Sequence, residues 1–172
     1  MSLKTSEIRP ARPGDADGVA RVHAGSWRYA YSGIIEGTHL EKMINRRGSV
    51  WWDGVVRRRG GMLVTEFDGR IIAYATFGPS RLKDLPYTSE IYELYLLPEY
   101  HGLGFGRALF DASRAKLAGS GFRSLAVRAL ADNVLATGFY AAVGGIEVRR
   151  SAEMVGQSCL PAVVFGWGKG AR

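Results

Sequence analysis

Hydrophobic and polar positions follow two periods along the chain, and the switches between them mark the elements. Ile8 begins a short strand that stops near Pro10 and Pro13. Asp15 or Asp17 then opens a helix whose apolar face is Val19, Val22, Ser26 and Ala30, with Trp27 beside it. Ser32 to Gly37 reads as a loop, and a second helix is expected from about Thr38. Trp51-Trp52 and Val55-Val56 predict a further helical turn, which Gly60-Gly61 breaks. Met62 to Phe67 and Arg70 to Phe77 flank Asp68-Gly69, a pair suited to a tight hairpin because both positions tolerate positive φ. Gly78 to Thr88 is a proline-containing loop, and Ser89 to Leu97 is a strand that Pro98 ends.

The second half alternates helix and strand. A helix is expected from about Gly104 to Leu117, where Phe105, Ala108, Leu109 and Ala112 supply the i, i+3, i+4, i+7 stripe and Gly119 and Gly121 stop it. Phe122 to Arg128 is a strand. Asp132 or Asn133 caps the next helix, whose stripe is Ala136, Phe139, Tyr140 and Val143 and whose end is Gly144-Gly145. Two closing strands follow, about Ile146 to Val155 and Leu160 to Trp167. This order predicts one α/β (α+β) domain, residues 5–168, with a mostly antiparallel sheet and helices on both faces.

Composition narrows the function classes. The chain has 172 residues, 47% hydrophobic and 23% charged, the balance of a soluble domain with a sizeable core. No apolar run approaches the roughly 18–20 residues that span a bilayer. Residues 1–7 lack the apolar core of a secretion signal. The single cysteine, Cys159, excludes an internal disulfide and fits a reducing cytoplasm; it is expected to be a buried or partly buried thiol, not a nucleophile. His23, His39, His101 and Cys159 are scattered, so no metal site is expected. The net charge of +7 favours an anionic partner: nucleic acid, a membrane surface or a phosphorylated cofactor. Arg46-Arg47 and Arg57-Arg58-Arg59 read as solvated helix ends, and no helix-turn-helix or RNA-binding signature accompanies them. A basic nucleic-acid module is thus the weaker alternative, and neither nucleic acid nor membrane is the expected partner.

The chemistry concentrates in one segment. The strand Glu90-Ile-Tyr-Glu-Leu-Tyr-Leu-Leu97 is followed by Pro98-Glu-Tyr and then by His101-Gly-Leu-Gly-Phe-Gly-Arg107, within which an amphipathic helix starts. A helix N-terminus exposes unpaired N–H groups and partial positive charge, and glycines let the backbone approach an anion closely. The glycines at 102, 104 and 106 do not fit a dinucleotide fingerprint or a Walker loop. Alone they argue only for an anion at a helix start. Further on stands Asn133-Val-Leu-Ala-Thr-Gly-Phe-Tyr140, followed by Gly144-Gly145.

With both elements in place, the chain resembles the GNAT superfamily of acyl-CoA N-acyltransferases from Ile8 to Trp167. That family shows Q/R-x-x-G-x-G/A at its pyrophosphate loop, then N-x-x-A-x-x-φ-Y and a glycine. One departure is His101, which stands where the family has Gln or Arg. The resemblance implies a mixed, mostly antiparallel six- to seven-stranded sheet and acetyl-CoA as co-substrate. It implies that the backbone of Leu94, Tyr95 and Leu96 pairs with the pantetheine arm, and that the Leu96 N–H faces the thioester carbonyl. The amides of Gly102, Leu103, Gly104, Phe105, Gly106 and Arg107 would hold the pyrophosphate. Asn133 would contact the cofactor arm, and Tyr140 would protonate the departing thiolate. A catalytically silent CoA-binding sensor is a further alternative that the same motifs allow.

Amide formation needs a neutral amine, and an alkylamine with a pKa of about 10.4 loses its proton at pH 7 at a cost of about 4–5 kcal/mol. A general base therefore helps. Glu90 and Glu93 are the candidates; three residues apart on a regular strand, they are expected on opposite faces. Histone acetyltransferases place a glutamate, and serotonin N-acetyltransferase a histidine, at the position matching Glu90, which favours Glu90. The run Ser26-Trp-Arg-Tyr-Ala-Tyr-Ser-Gly33 resembles a subgroup with S-W-R-x-x-Y-x-G, and there Trp27 and Tyr31 would wall the groove of a small-molecule or peptide amine. The loop from Arg81 to Thr88 and the turn from Gly156 to Cys159 are expected to complete it. Many family members are dimers, and Val163-Val164-Phe165 is a candidate interface.

Overall fold

The first helix is held by charge as well as by apolar packing. Residues 5–58 and 60–168 are described by the structure, a computed structural model; residues 1–4 and Arg59, the last of the second basic run, lie outside them. β1 (Ser6–Pro10) leads through a 3-10 turn at Pro13–Asp15 into α1 (Ala16–Tyr31). Buried Arg9 donates to both carboxylate oxygens of Asp15, at 2.7 and 2.9 Å, and to Glu66 at 2.7 Å. Asp15 also accepts from the Arg12 amide at 2.8 Å, so one buried cation ties the edge strand, the turn and the next strand together. α1 then lays Val19, Val22, Ser26 and Trp27 against the sheet, as its periodicity predicts, with His23 added to the buried face and Ala30 only half-buried.

α2 (Gly37–Asn45) and α3 (Ser49–Arg57) pack beside α1. β2 (Gly61–Phe67) and β3 (Arg70–Pro79) form the hairpin, with Asp68 and Gly69 at φ of 51° and 75°. β4 (Ser89–Leu96), α4 (Phe105–Gly119), β5 (Ser124–Leu130), α5 (Val134–Ala142), β6 (Ile146–Val155) and β7 (Ser158–Gly168) complete the chain. The seven strands make one sheet in the order β1-β2-β3-β4-β5-β7-β6. Every neighbouring pair is antiparallel except β4 and β5. α1 to α3 cover one face, where Trp52, Val64 and Tyr74 are buried. α4 and α5 cover the other, burying Leu109, Phe110 and Tyr140 against Ile91, Val127, Phe165 and Trp167.

Two features of β4 set the geometry of the site. Its register with β3 passes from Thr76↔Glu93 to Phe77↔Ile91, so Tyr92 is an extra residue without a partner, a β-bulge. Its pairing with β5 covers only Ser89↔Leu125 and Glu90↔Ala126. Past the bulge the two parallel strands are unpaired.

Two expectations fail here. Val163, Val164 and Phe165 are buried in β7, which lies between β5 and β6, so they are not an exposed interface; the sheet ends on β6 instead. Their apolar run reflects burial on both faces. Cys159 is exposed, because it sits at the start of β7 beside the hairpin tip. Among the described residues no helix is long and apolar enough to cross a membrane.

The Arg9 network yields a stability expectation. Asp15→Ala should lower unfolding free energy by about 2–3 kcal/mol in urea titrations, since it leaves the buried Arg9 guanidinium with Glu66 as its one remaining carboxylate. Burial pushes the Asp15 carboxyl up, but the bonds from Arg9 and the Arg12 amide outweigh it and hold the group below its ordinary 3.8. Its contribution is therefore complete above the unfolded value and is lost as pH falls through the lower folded value. The gap between wild type and variant should narrow on acidification below about 3.8.

Candidate active site

The unpaired stretch of β4 opens a cleft of about 390 Å³ between the starts of α4 and α5. The Leu97 N–H donates to Ile72 O at 2.9 Å, which fixes the parity of the ladder. With Ala73↔Leu96, Tyr74↔Tyr95 and Ala75↔Leu94 in register, Tyr95 exchanges backbone bonds with Tyr74. Leu94 and Leu96 turn their N–H and C=O groups the other way, toward the gap that β5 leaves open. The Leu96 carbonyl is already engaged: Ser26 Oγ and His101 Nε2 each donate to it at 3.1 Å. A carbonyl only accepts, so His101 carries its proton on Nε2 in this bond. His101 thus ties the glycine loop to β4, a structural role the sequence comparison left without explanation.

Gly102 and Gly104 have φ of 76° and 88°, left-handed conformations that a side chain would strain. They turn the chain so that α4 begins at Phe105 with its first amides facing the cleft. A Cβ at Gly104 would meet no atom within 4 Å, so the approach to those amides is open. Gly106 and Arg107 line the same cleft, whereas Leu103 is exposed and Phe105 packs on Phe67 with ring centroids 5.3 Å apart. Their side chains lie outside the cleft, and only their amides remain available to it. Opposite, Asn133 caps α5 by accepting from the Ala136 N–H at 3.2 Å. Tyr140 lines the cleft floor; its hydroxyl has no protein partner among the described residues. Burial pushes that hydroxyl well up, so it keeps its proton across the working pH range. Leu135 and Phe139, which sequence reasoning assigned to the helix stripe or passed over, supply the apolar wall.

On the α1 face of the same strands lies a second cavity of about 600 Å³. Glu90 and Glu93 both line it, against the expectation of opposite faces. The bulge explains this. One extra residue restores the same side after three steps, and Ile91 and Leu94 correspondingly both pack toward the α4 core. Glu90 is almost fully buried and held by Arg81, through its main-chain N–H at 2.9 Å and guanidinium bonds of 3.0 and 3.3 Å. Glu93 accepts from Arg47 and, at 3.4 Å, from the Tyr74 hydroxyl. Tyr74 in turn meets His23 Nδ1 at 3.1 Å. Burial, with a smaller effect of Arg47, pushes His23 down to about 3, so it stays neutral.

Trp27 and Tyr31 line this cavity, and so do Arg81 from the loop before β4, Val155 at the end of β6 and Gly156 from the turn after it. Tyr29 turns away, its ring edge-on to His101 at 5.5 Å. Arg47 is not a solvated helix end: its side chain is 32% exposed, bonded to Glu93 and stacked 4.8 Å from the Trp51 ring centroid and 5.5 Å from that of Trp27. Charge runs show composition, not the direction in which one residue points, so the sequence carried no signal for it. The two spaces meet at Tyr95, which lines both. Its hydroxyl bonds that of Tyr31 at 2.7 Å. Among the described residues no group of three or more His, Cys, Asp or Glu could hold a metal ion.

This arrangement has relatives. The profile of the Acetyltransferase (GNAT) family matches residues 26–144. The uncharacterized N-acetyltransferase YuaI of Bacillus subtilis is 30% identical over 161 residues, covering 93% of this chain and 91% of that protein. The fold matches that of PaiA N-acetyltransferase from Thermoplasma acidophilum in complex with coenzyme A, with a TM-score of 0.76, 19% identity and coverage of 95% and 99%. It also matches yncA, a putative acetyltransferase from Salmonella typhimurium with its cofactor acetyl-CoA, with a TM-score of 0.69, 16% identity and coverage of 95% and 94%. The structural likenesses speak to the fold; the profile match over most of the chain and the full-length relative establish that the chain belongs to the GNAT family of acetyltransferases.

Proposed function

We propose that the chain moves an acetyl group directly from acetyl-CoA, bound in the β4–β5 cleft, to an amine that enters from the cavity on the α1 face. The observation that carries this reading is that the cleft and the cavity meet at Tyr95, where the sheet is split. A thioester on one side and an amine on the other would lie against the same residue there. Relatives solved with coenzyme A or acetyl-CoA support the choice of co-substrate.

Each part of the chain then has a task. The amides from Gly102 to Arg107 hold the pyrophosphate at the start of α4, where partial positive charge is available without a basic side chain. Leu94 offers its N–H and C=O to the amides of the pantetheine arm, as an added strand would use them. The Leu96 N–H donates to the thioester oxygen as negative charge builds on it. Acetyl-CoA supplies the activated carbonyl and a thiolate leaving group. Tyr140 gives its proton to the sulfur; Asn133 steadies the arm beside it.

Glu93, rather than Glu90, takes the amine proton, directly or through water. Glu90 is almost fully buried with both oxygens held by Arg81, which makes it a brace for the Arg81 loop, whereas Glu93 is more open and its second oxygen meets only the Tyr74 hydroxyl, at a long 3.4 Å. Glu93 is nearer the junction: its charge acts on the hydroxyls of Tyr31, Tyr74 and Tyr95, although burial dominates their upward shifts.

Free-thiol release with a panel of amines tests the reading. Tyr140→Phe should lower kcat on the order of tenfold to a hundredfold while leaving acetyl-CoA affinity nearly intact. Equal turnover would remove Tyr140 from the acid role. Glu93→Gln should lower kcat/KM by about a hundredfold near pH 7 and recover as the pH approaches 10, where the amine deprotonates unaided. Glu90→Gln should show no such recovery. A protein that fails to bind acetyl-CoA at millimolar ligand in titration calorimetry would overturn the whole reading.

A further inference from the structure

Every arginine that lines the cavity on the α1 face is paired with a carboxylate that lines it too. The pairs are Arg47 with Glu93, Arg81 with Glu90 at 3.0 Å, and Arg128 with Glu153 at 3.4 Å. Their charges cancel, so a polycation finds no excess of negative charge here. The three arginines are not equally occupied: Arg128 meets Glu153 alone and has no ring packed against it among the described residues, so it is free but unheld. Arg81 spends its Nε, a terminal nitrogen and its main-chain N–H on Glu90. Arg47 gives Glu93 one terminal nitrogen, and its Nε and other terminal nitrogen have no hydrogen-bond partner among the described residues. A guanidinium has five N–H groups in a rigid fork. Arg47 therefore keeps an open edge, and its guanidinium carbon packs 4.8 and 5.5 Å from the ring centroids of Trp51 and Trp27.

A fork bonded to Glu93 through one nitrogen and packed beside two rings, with free donors and partial burial, is suited to a second carboxylate. Occupying the free edge would place the guanidinium between two anions, Glu93 on one side and the ligand on the other. We propose that the acceptor is an amine that itself carries a carboxylate, bound with that carboxylate on Arg47 and its amino group between Glu93 and Tyr95. The inference rests on the acetyl transfer proposed above and names the acceptor class for that site. Because Arg47 touches Glu93, the amino and carboxylate groups must be close together, which selects an α-amino acid over a long ω-amino acid. Ile35, Met43 and Val55 add apolar lining, so an apolar or aromatic side chain fits best.

Arg47 also steadies Glu93, so loss of activity alone would not separate anion recognition from base positioning. Matched pairs do. Phenylalanine against 2-phenylethylamine, and leucine against isoamylamine, share the amine and the base and differ in the carboxylate. Damage to Glu93 lowers both members of a pair and leaves their ratio unchanged. In wild type the amino acid is expected to exceed its decarboxylated partner, and spermidine, at least tenfold in kcat/KM. Arg47→Gln should bring the ratio close to one, and Arg47→Lys, which keeps the charge but loses the fork, should fall between. An unchanged acetyl-CoA dissociation constant reports that each variant is folded. A wild-type ratio of one or less, a ratio unmoved by Arg47→Gln, or silence from every amino acid in a protein that binds acetyl-CoA overturns the proposal. Failure to bind acetyl-CoA overturns the transfer reading instead, and this one with it.

Discussion

The unpartnered Tyr92 in β4 is the constraint from which the rest of the site follows. A regular strand would alternate its side chains and stay paired to its neighbours on both edges. Inserting one residue opposite Thr76–Phe77 does two things at once. It brings Glu90 and Glu93 onto the same face, and it coincides with the point where β4 and β5 cease to pair after two residues. Backbone groups that a sheet would normally satisfy internally are then left facing a cleft. Unpaired strand edges are a liability in most folds. Here the edge is interior, walled by α4 and α5, and accessible to a ligand that can hydrogen-bond as a strand does.

The elements around that split are arranged to hold it open. Gly102 and Gly104 turn the chain so that α4 points its N-terminus into the gap, and Asn133 caps α5 on the other side. Ser26 from α1 and His101 from the loop both grip the Leu96 carbonyl, which fixes the strand from the side where β5 is missing. Arg9 and Asp15 anchor the start of α1. Trp27 and Tyr31 sit near its far end, so their position depends on that anchor. The Tyr31–Tyr95 hydroxyl pair marks the boundary between the two spaces, protonated because burial raises both groups.

Much of this was legible in the sequence, and the part that was not has a common cause. Periodicity located the elements to within a few residues, because stripes such as Val19, Val22 and Ser26 report burial of a whole helix face. The glycine loop was readable as an anion-binding helix start because that chemistry is local to the backbone, whereas the Asn133 to Tyr140 pattern gained meaning only through the family resemblance. The bulge was not: Glu90-Ile-Tyr-Glu-Leu-Tyr-Leu reads equally well as a regular strand, and only pairing with Thr76 and Phe77 reveals the extra residue. Arg47 was misread for the same reason, since its partners Glu93, Trp27 and Trp51 converge through three different elements. Val163 to Phe165 looked like an interface because strand order, which puts β7 inside the sheet, cannot be read from apolarity.

Residue-resolved amide hydrogen exchange, with and without acetyl-CoA, bears most directly on the claim that the split in the sheet is the binding site. Parity separates the amides: Leu94 and Leu96 face the gap, while Tyr95 is already bonded to Tyr74. On binding, exchange at Leu94, Leu96 and the amides from Gly102 to Arg107 is expected to slow, with Tyr95 little changed. Protection that appears at Tyr95 but not at Leu96, or that spares the loop amides, would contradict the account.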